Sequence, residues 1–126
     1  MNSDRHKSAE LLYKARSLGV KAVFVTVDAP VPGKREADER IAAESYVSPV
    51  SGAQASNDKK GGGMGRLMAQ YVDSTLTWTD IAWIKEKAGV PIVLKGVQTA
   101  VDARLAVAHG ADGIMLSNHG GRSLDT

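Results

Sequence analysis

A helix, a glycine and a short apolar run follow one another three times in this chain, and that rhythm limits the fold more than any other feature. SDRHKSAELLYKARSLGVKAVFVTVD carries Leu11, Ala15 and Leu18 at helical spacing, then Gly19, then the β-branched run Val23 to Val27. TWTDIAWIKEKAGVPIVLKG repeats it with Ile81, Ile84 and Ala88, then Gly89, then Ile92 to Leu94. TAVDARLAVAHGADGIMLSN does so again with Val101, Leu105 and Ala108, then Gly110, then Ile114 to Leu116. Each glycine stands where a helix ends in the left-handed conformation. Thr77–Asp80 and Thr99–Asp102 have the spacing of a capping box. The apolar runs are continuous rather than alternating, as in parallel strands covered on both faces. Helix and strand in alternation predict parallel βα units and an α/β fold.

The spacing from Gly89 to Gly110 is compact, whereas that from Gly19 to Gly89 is about three times longer. An insert therefore follows the first strand, from about residue 29 to residue 76. Its SPVSGAQASNDKKGGGMG stretch has little to bury and reads as a long, mobile loop, with one short helix possible over 65–73. With 126 residues and 43% apolar composition, the chain can form one small domain with a core. A net charge of +2 gives no field suited to nucleic acid, and the absence of cysteine removes disulfides and thiolate chemistry. No apolar run approaches the roughly 18 residues of a membrane span. The opening MNSDRHKSAELL reads as neither a signal nor a transit peptide.

Each strand ends in a polar group. The first ends in Thr26-Val27-Asp28, the second in Lys95-Gly96, the third in Ser117-Asn118-His119-Gly120-Gly121-Arg122. Parallel βα folds gather functional groups at the C-terminal ends of their strands. Singly, Asp28 could open a turn, Lys95 could be a solvated strand end, and His119 could be an ordinary exposed residue. Together they make a site. Histidine is the natural general base near neutral pH, and a carboxylate on its other nitrogen fixes the tautomer; Asp28 could serve His119 in this way. Arg122 offers a planar fork for a substrate carboxylate, and Lys95 a fixed cation for a developing anion. These parts fit oxidation of a 2-hydroxy acid, although a lyase or racemase could use them too. No metal site is expected. His109 suits a helix C-terminus, His6 reads as exposed, and Trp78 and Trp83 as packing residues.

VTVDAPVPGKRE, IVLKGV and SNHGGRSLD, together with LTW.DI before the second helix, resemble the FMN-dependent 2-hydroxy acid dehydrogenase and oxidase family. The likeness is nearest to its cytochrome b2-type L-lactate dehydrogenases and covers essentially the whole chain. It implies a partial (β/α)8 TIM barrel, from the helix after that barrel's third strand to the loop after its sixth. It implies His119 as base with Asp28 as partner, Arg122 and Arg35 as substrate-binding residues, and Lys95, Thr26 and Ser117 beside the FMN ring. The substrate would be a small L-2-hydroxy acid, L-lactate first; family members are usually homo-oligomeric, and a mitochondrial or cytoplasmic location would be consistent with the resemblance. The family's early FMN-contacting strands and its late phosphate-binding loops have no counterpart in these residues, so the FMN phosphate site is expected to be absent. The alternative is accordingly a truncated, inactive fragment. Another phosphate-binding barrel enzyme is a further reading, which must explain His119 and Arg122 on one loop.

Overall fold

The computed structural model describes residues 1–2, 4–30, 46–47, 54–55 and 72–121. Three helices and five strands are assigned among them: α1 (Arg5–Ser17), β1 (Val23–Thr26), β2 (Tyr46–Val47), β3 (Gln54–Ala55), α2 (Asp80–Ala88), β4 (Ile92–Val97), α3 (Ala100–Ala108) and β5 (Gly113–Leu116). A 3-10 turn follows at His119–Gly121.

The main sheet has the order β1-β4-β5, and both pairings are parallel. Val25 pairs with Leu94 and Leu94 with Ile114; one step on, Thr26 pairs with Lys95 and Lys95 with Met115. The strand that comes second in the main chain rhythm is thus central. It also runs further than the apolar residues suggest, passing through Lys95 and Gly96 to Val97. Its buried positions are Ile92, Leu94 and Val97. Two steps of strict alternation would have put position 96 on that face. The extra residue is a bulge, seen as a register shift between Lys95 and Val97.

The core lies between this sheet and the helices. Ile84, Ala88, Ile92 and Ala106 are fully buried, with Leu12, Val25, Ile81, Leu94 and Val97 close to it. The isoleucine, leucine and valine side chains among them each contribute about 1.5–3 kcal/mol when fully buried. On α2 the buried stripe is Ile81, Ile84 and Ala88, as the spacing predicts. On α1 the expected stripe is wrong: Leu11 and Leu18 are exposed, and Ser8 and Leu12 are buried instead. The reason is the neighbour, because α1 packs against α2 and turns its Ser8–Leu12 side inward. On α3 the buried residue is Ala106, and Val101 is exposed.

The helix ends follow local rules. Asp4 caps α1 by accepting from the His6 and Lys7 N–H groups. Thr99 caps α3, its Oγ1 accepting from Asp102 N–H at 3.0 Å. Thr77 does not cap α2 through its side chain. The helix begins at Asp80, whose Oδ2 accepts from the Thr77 N–H at 2.7 Å, so only the returning half of the box forms. Gly89 ends α2 in the left-handed conformation, φ 59°, and Gly19 and Gly110 also have positive φ.

At the N-terminal end of the sheet Asp112 acts as a clip. Its Oδ2 accepts from the Ile92 N–H at 2.9 Å and its Oδ1 from Lys85 Nζ at 2.7 Å, while Lys85 also donates to the Gly110 carbonyl. Elsewhere, Trp83 lies under the Arg5 guanidinium, 5.1 Å from its ring centroid. Trp78 stacks on His109 at 5.8 Å, a contact the sequence did not announce.

The helices cover one face of the sheet. Phe24, Thr26, Val93, Lys95, Gly113 and Met115 share the other by register and alternation. Phe24 and Met115 are 56% and 46% exposed, so this face is uncovered among the described residues, contrary to the expectation of strands covered on both sides. Most of the insert read as a mobile loop over about 29–76 lies outside the described residues, as does nearly all of the helix considered for 65–73. Within the insert, Tyr46–Val47 pairs antiparallel with Gln54–Ala55. No helix among the described residues is long and apolar enough to cross a membrane.

Candidate active site

Each of the three parallel strands delivers polar groups to the same end of the sheet. Asp28 comes two residues after β1, Lys95 from within β4, and Ser117 directly after β5. The loop after β5 then folds back. Asn118 accepts from the Gly121 N–H through its backbone carbonyl at 3.1 Å. His119, Gly120 and Gly121 all have positive φ, of 59°, 64° and 73°. Two of these are glycines, for which that conformation is free of strain; His119 is the exception. The Ser117 Oγ holds it by accepting the His119 N–H at 2.9 Å.

This turn puts the His119 ring on Asp28, with Nδ1 2.8 Å from Oδ1. The carboxylate side chain is 2% exposed and the imidazole 30%. An ionised carboxylate can only accept, so Nδ1 carries the proton and Nε2 is left as the free basic nitrogen. Lys95 joins the pair: its Nζ is 3.8 Å from Asp28 Oδ2 and donates to Ser117 Oγ at 3.3 Å. Asp28 Oδ2 has no hydrogen-bond partner among the described residues and faces this ammonium group. Burial alone would raise the Asp28 pKa. Interactions with the His119 ring and the Ser117 hydroxyl, and then the charges of Lys95 and His119, outweigh it and hold the carboxyl below its ordinary value.

Of the seven residues singled out from sequence, the structure therefore brings Asp28, Lys95, Ser117 and His119 together. Thr26 pairs in register with Lys95 and is exposed on the uncovered face. Arg35 and Arg122 lie outside the described residues. Among the described residues no group of His, Cys, Asp or Glu is arranged to hold a metal. A cavity of 480 Å³, lined by Leu76, Trp78, Ile81, Leu94, Val97 and, nearest the site, Val27 and Gly96, lies on the helix side of the sheet and is lined by none of the four. Sequence reasoning passed over Gly96, whose place inside a strand is itself a signal of a bulge or a close approach.

The model of the FMN-dependent dehydrogenase family matches residues 1–126. The chain belongs to the FMN-dependent dehydrogenase family. Within it, the L-lactate dehydrogenase (cytochrome) of Saccharomyces cerevisiae is 42% identical over 125 residues, covering 99% of this chain and 21% of the relative. A 2-hydroxyacid oxidase of Dictyostelium discoideum is 42% identical over 128 residues, covering 98% of this chain and 32% of its own length. A crystal structure of mandelate oxidase with (S)-4-hydroxymandelic acid superposes with a TM-score of 0.83 at 30% identity, over 99% of this chain and 37% of that one. This family member thus spans between 21% and 37% of the length of these relatives.

The donor set fits one part of FMN. The flavin ring has a carbonyl-bearing edge that becomes anionic on reduction, and here an ammonium group, Lys95, and two hydroxyls, Thr26 and Ser117, stand at one end of a sheet face that is uncovered among the described residues.

Proposed function

We propose that this chain carries the acid–base centre of an FMN-dependent dehydrogenase that oxidises an L-2-hydroxy acid, L-lactate first, to the 2-oxo acid. The observation that carries the reading is the His119–Asp28 pair, closed at 2.8 Å beside a lysine at the C-terminal end of a parallel sheet. The scaffold proposed for it is the part of a (β/α)8 barrel between the helix after strand three and the loop after strand six, with residues 1–126 as one incomplete barrel unit.

His119 takes up, at Nε2, the proton released as the alcohol carbon is oxidised. Asp28 stabilises the imidazolium that results and keeps the ring from turning. Arg122 and Arg35 bind the substrate carboxylate and orient the reacting carbon. Lys95, Thr26 and Ser117 would hold the ring of FMN. When bound, FMN supplies the two-electron acceptor. The substrate class is carried by the relatives, which are a lactate dehydrogenase, a 2-hydroxyacid oxidase and a mandelate oxidase.

A second reading is a polypeptide with no activity of its own. The face with Phe24 and Met115, uncovered among the described residues, favours it, since exposed apolar sheet surface promotes association. One experiment separates the two. The chain is mixed with FMN and desalted, and the visible flavin absorbance is followed after anaerobic addition of L-lactate. Retained colour that bleaches with L-lactate supports the enzyme. Colourless protein, or colour that no 2-hydroxy acid bleaches, supports the inactive reading.

A further inference from the structure

Asp28 and His119 do not come from neighbouring strands. In the order β1-β4-β5, Asp28 follows one edge strand and His119 the other, so their hydrogen bond must pass across β4. Gly96 is the residue of β4 against which Asp28 lies. A Cβ placed on Gly96 would stand 2.5 Å from both Cβ and Cγ of Asp28 and 2.8 Å from its backbone nitrogen. These are inner, stiff atoms, not the far end of a flexible side chain. They cannot simply withdraw. The preceding Val27 N–H is bonded to the Lys95 carbonyl at 2.9 Å, and the Asp28 side chain is almost wholly enclosed. Gly96 also has φ +107°, within a bulge, where a side chain is disfavoured on backbone grounds.

We propose that Gly96 is a positioning residue for the acid–base pair: its missing side chain is the gap through which Asp28 reaches His119. The inference rests on the reading of His119 as base. It acts through Asp28 and needs no contact with substrate or flavin. Gly113, on the adjacent strand of the same sheet, is the natural contrast. A Cβ there would meet only the Val93 methyl groups, at an ordinary 3.5 Å and 3.9 Å.

The test uses ¹⁵N-histidine NMR on the 126-residue chain, which has three histidines. The unsubstituted chain is expected to show neutral His119 protonated on Nδ1. Gly96→Ala should move that proton to Nε2, as Asp28→Ala does, while Gly113→Ala leaves it on Nδ1. A denaturation cycle adds a second measure, in which the loss of stability from Gly96→Ala is compared in the native and Asp28→Gly backgrounds. A smaller loss in the second background, or folding only there, supports the proposal. Three results overturn it: Gly96→Ala retaining the Nδ1 proton, Gly113→Ala losing it as well, or Gly96→Ala costing as much with Asp28→Gly as without, including failure to fold in both. Because nothing here depends on turnover, a chain that never oxidises lactate would sink the proposed function and leave this result standing.

Discussion

His119 Nδ1 and Asp28 Oδ1 are 2.8 Å apart although 91 positions separate the two residues in sequence. Only the parallel alignment of β1, β4 and β5 brings them together, and the pairing leaves the opposite ring nitrogen available as a base.

His119→Gln and Asp28→Asn are each expected to slow lactate-dependent bleaching of the FMN-loaded chain by about 10²–10⁴-fold. The double variant should be little slower than the slower single one, because the two side chains act as one unit. Stopped-flow absorbance of the four proteins checks this. Multiplying losses in the double variant would mean that the residues act separately.

Lys95→Met removes a cation 3.8 Å from Asp28 Oδ2. The Asp28 pKa should then rise towards its ordinary value, since the Lys95 charge is one of the influences that lower it. Carboxyl ¹³C NMR across an acid titration measures the change. Bleaching should slow by about 10²–10³-fold, the usual loss on removing one group that stabilises a developing anion.

Acid should destabilise the fold in a defined direction. Burial works against Asp28, but its polar partners win. The Thr75 hydroxyl and N–H lower Asp73, the Thr77 N–H lowers Asp80, and Lys85 with the Ile92 N–H lowers Asp112, all from 3.8. A carboxyl with a lowered folded-state pKa binds its proton more weakly when folded than when unfolded. Its stabilisation is fully present above 3.8 and is lost as pH falls through the folded-state values. The urea midpoint should therefore hold steady on the neutral side and drop below that pH. A midpoint that climbs on acidification would contradict the assignment.

The packing of α1 and α2 gives a contrast in stability. Ile84→Ala, at a fully buried position, should cost about 2–5 kcal/mol. Leu18→Ala, at a position 74% exposed, should stay within about 0.5 kcal/mol. Equilibrium denaturation of both variants decides whether the helix faces are oriented as described.

Some of this was legible in the sequence because it is local. Continuous apolar runs and glycine stops mark β1, β4 and β5, and polar residues after such runs mark the site end of a parallel sheet. Where the outcome depended on a neighbour, the sequence misled. Leu11 and Leu18 look like the inner face of α1, yet α2 selects Ser8 and Leu12. Lys95-Gly96 looks like the end of a strand, because a charge followed by glycine normally interrupts one. Here the strand continues, since β5 pairs with it on both sides of the bulge, Lys95 with Met115 and Val97 with Leu116. The Trp78–His109 stack joins residues far apart in the chain, and neither carries a local mark of the other.

Asp112, bonded to the Ile92 N–H and to Lys85, fastens the entrances of β4 and β5 at the end of the sheet remote from His119. Alignment is set where these strands begin, and Lys95, Ser117 and His119 stand where they finish. The turn after β5 that aims the imidazole therefore starts from a strand whose alignment is already set at its far end.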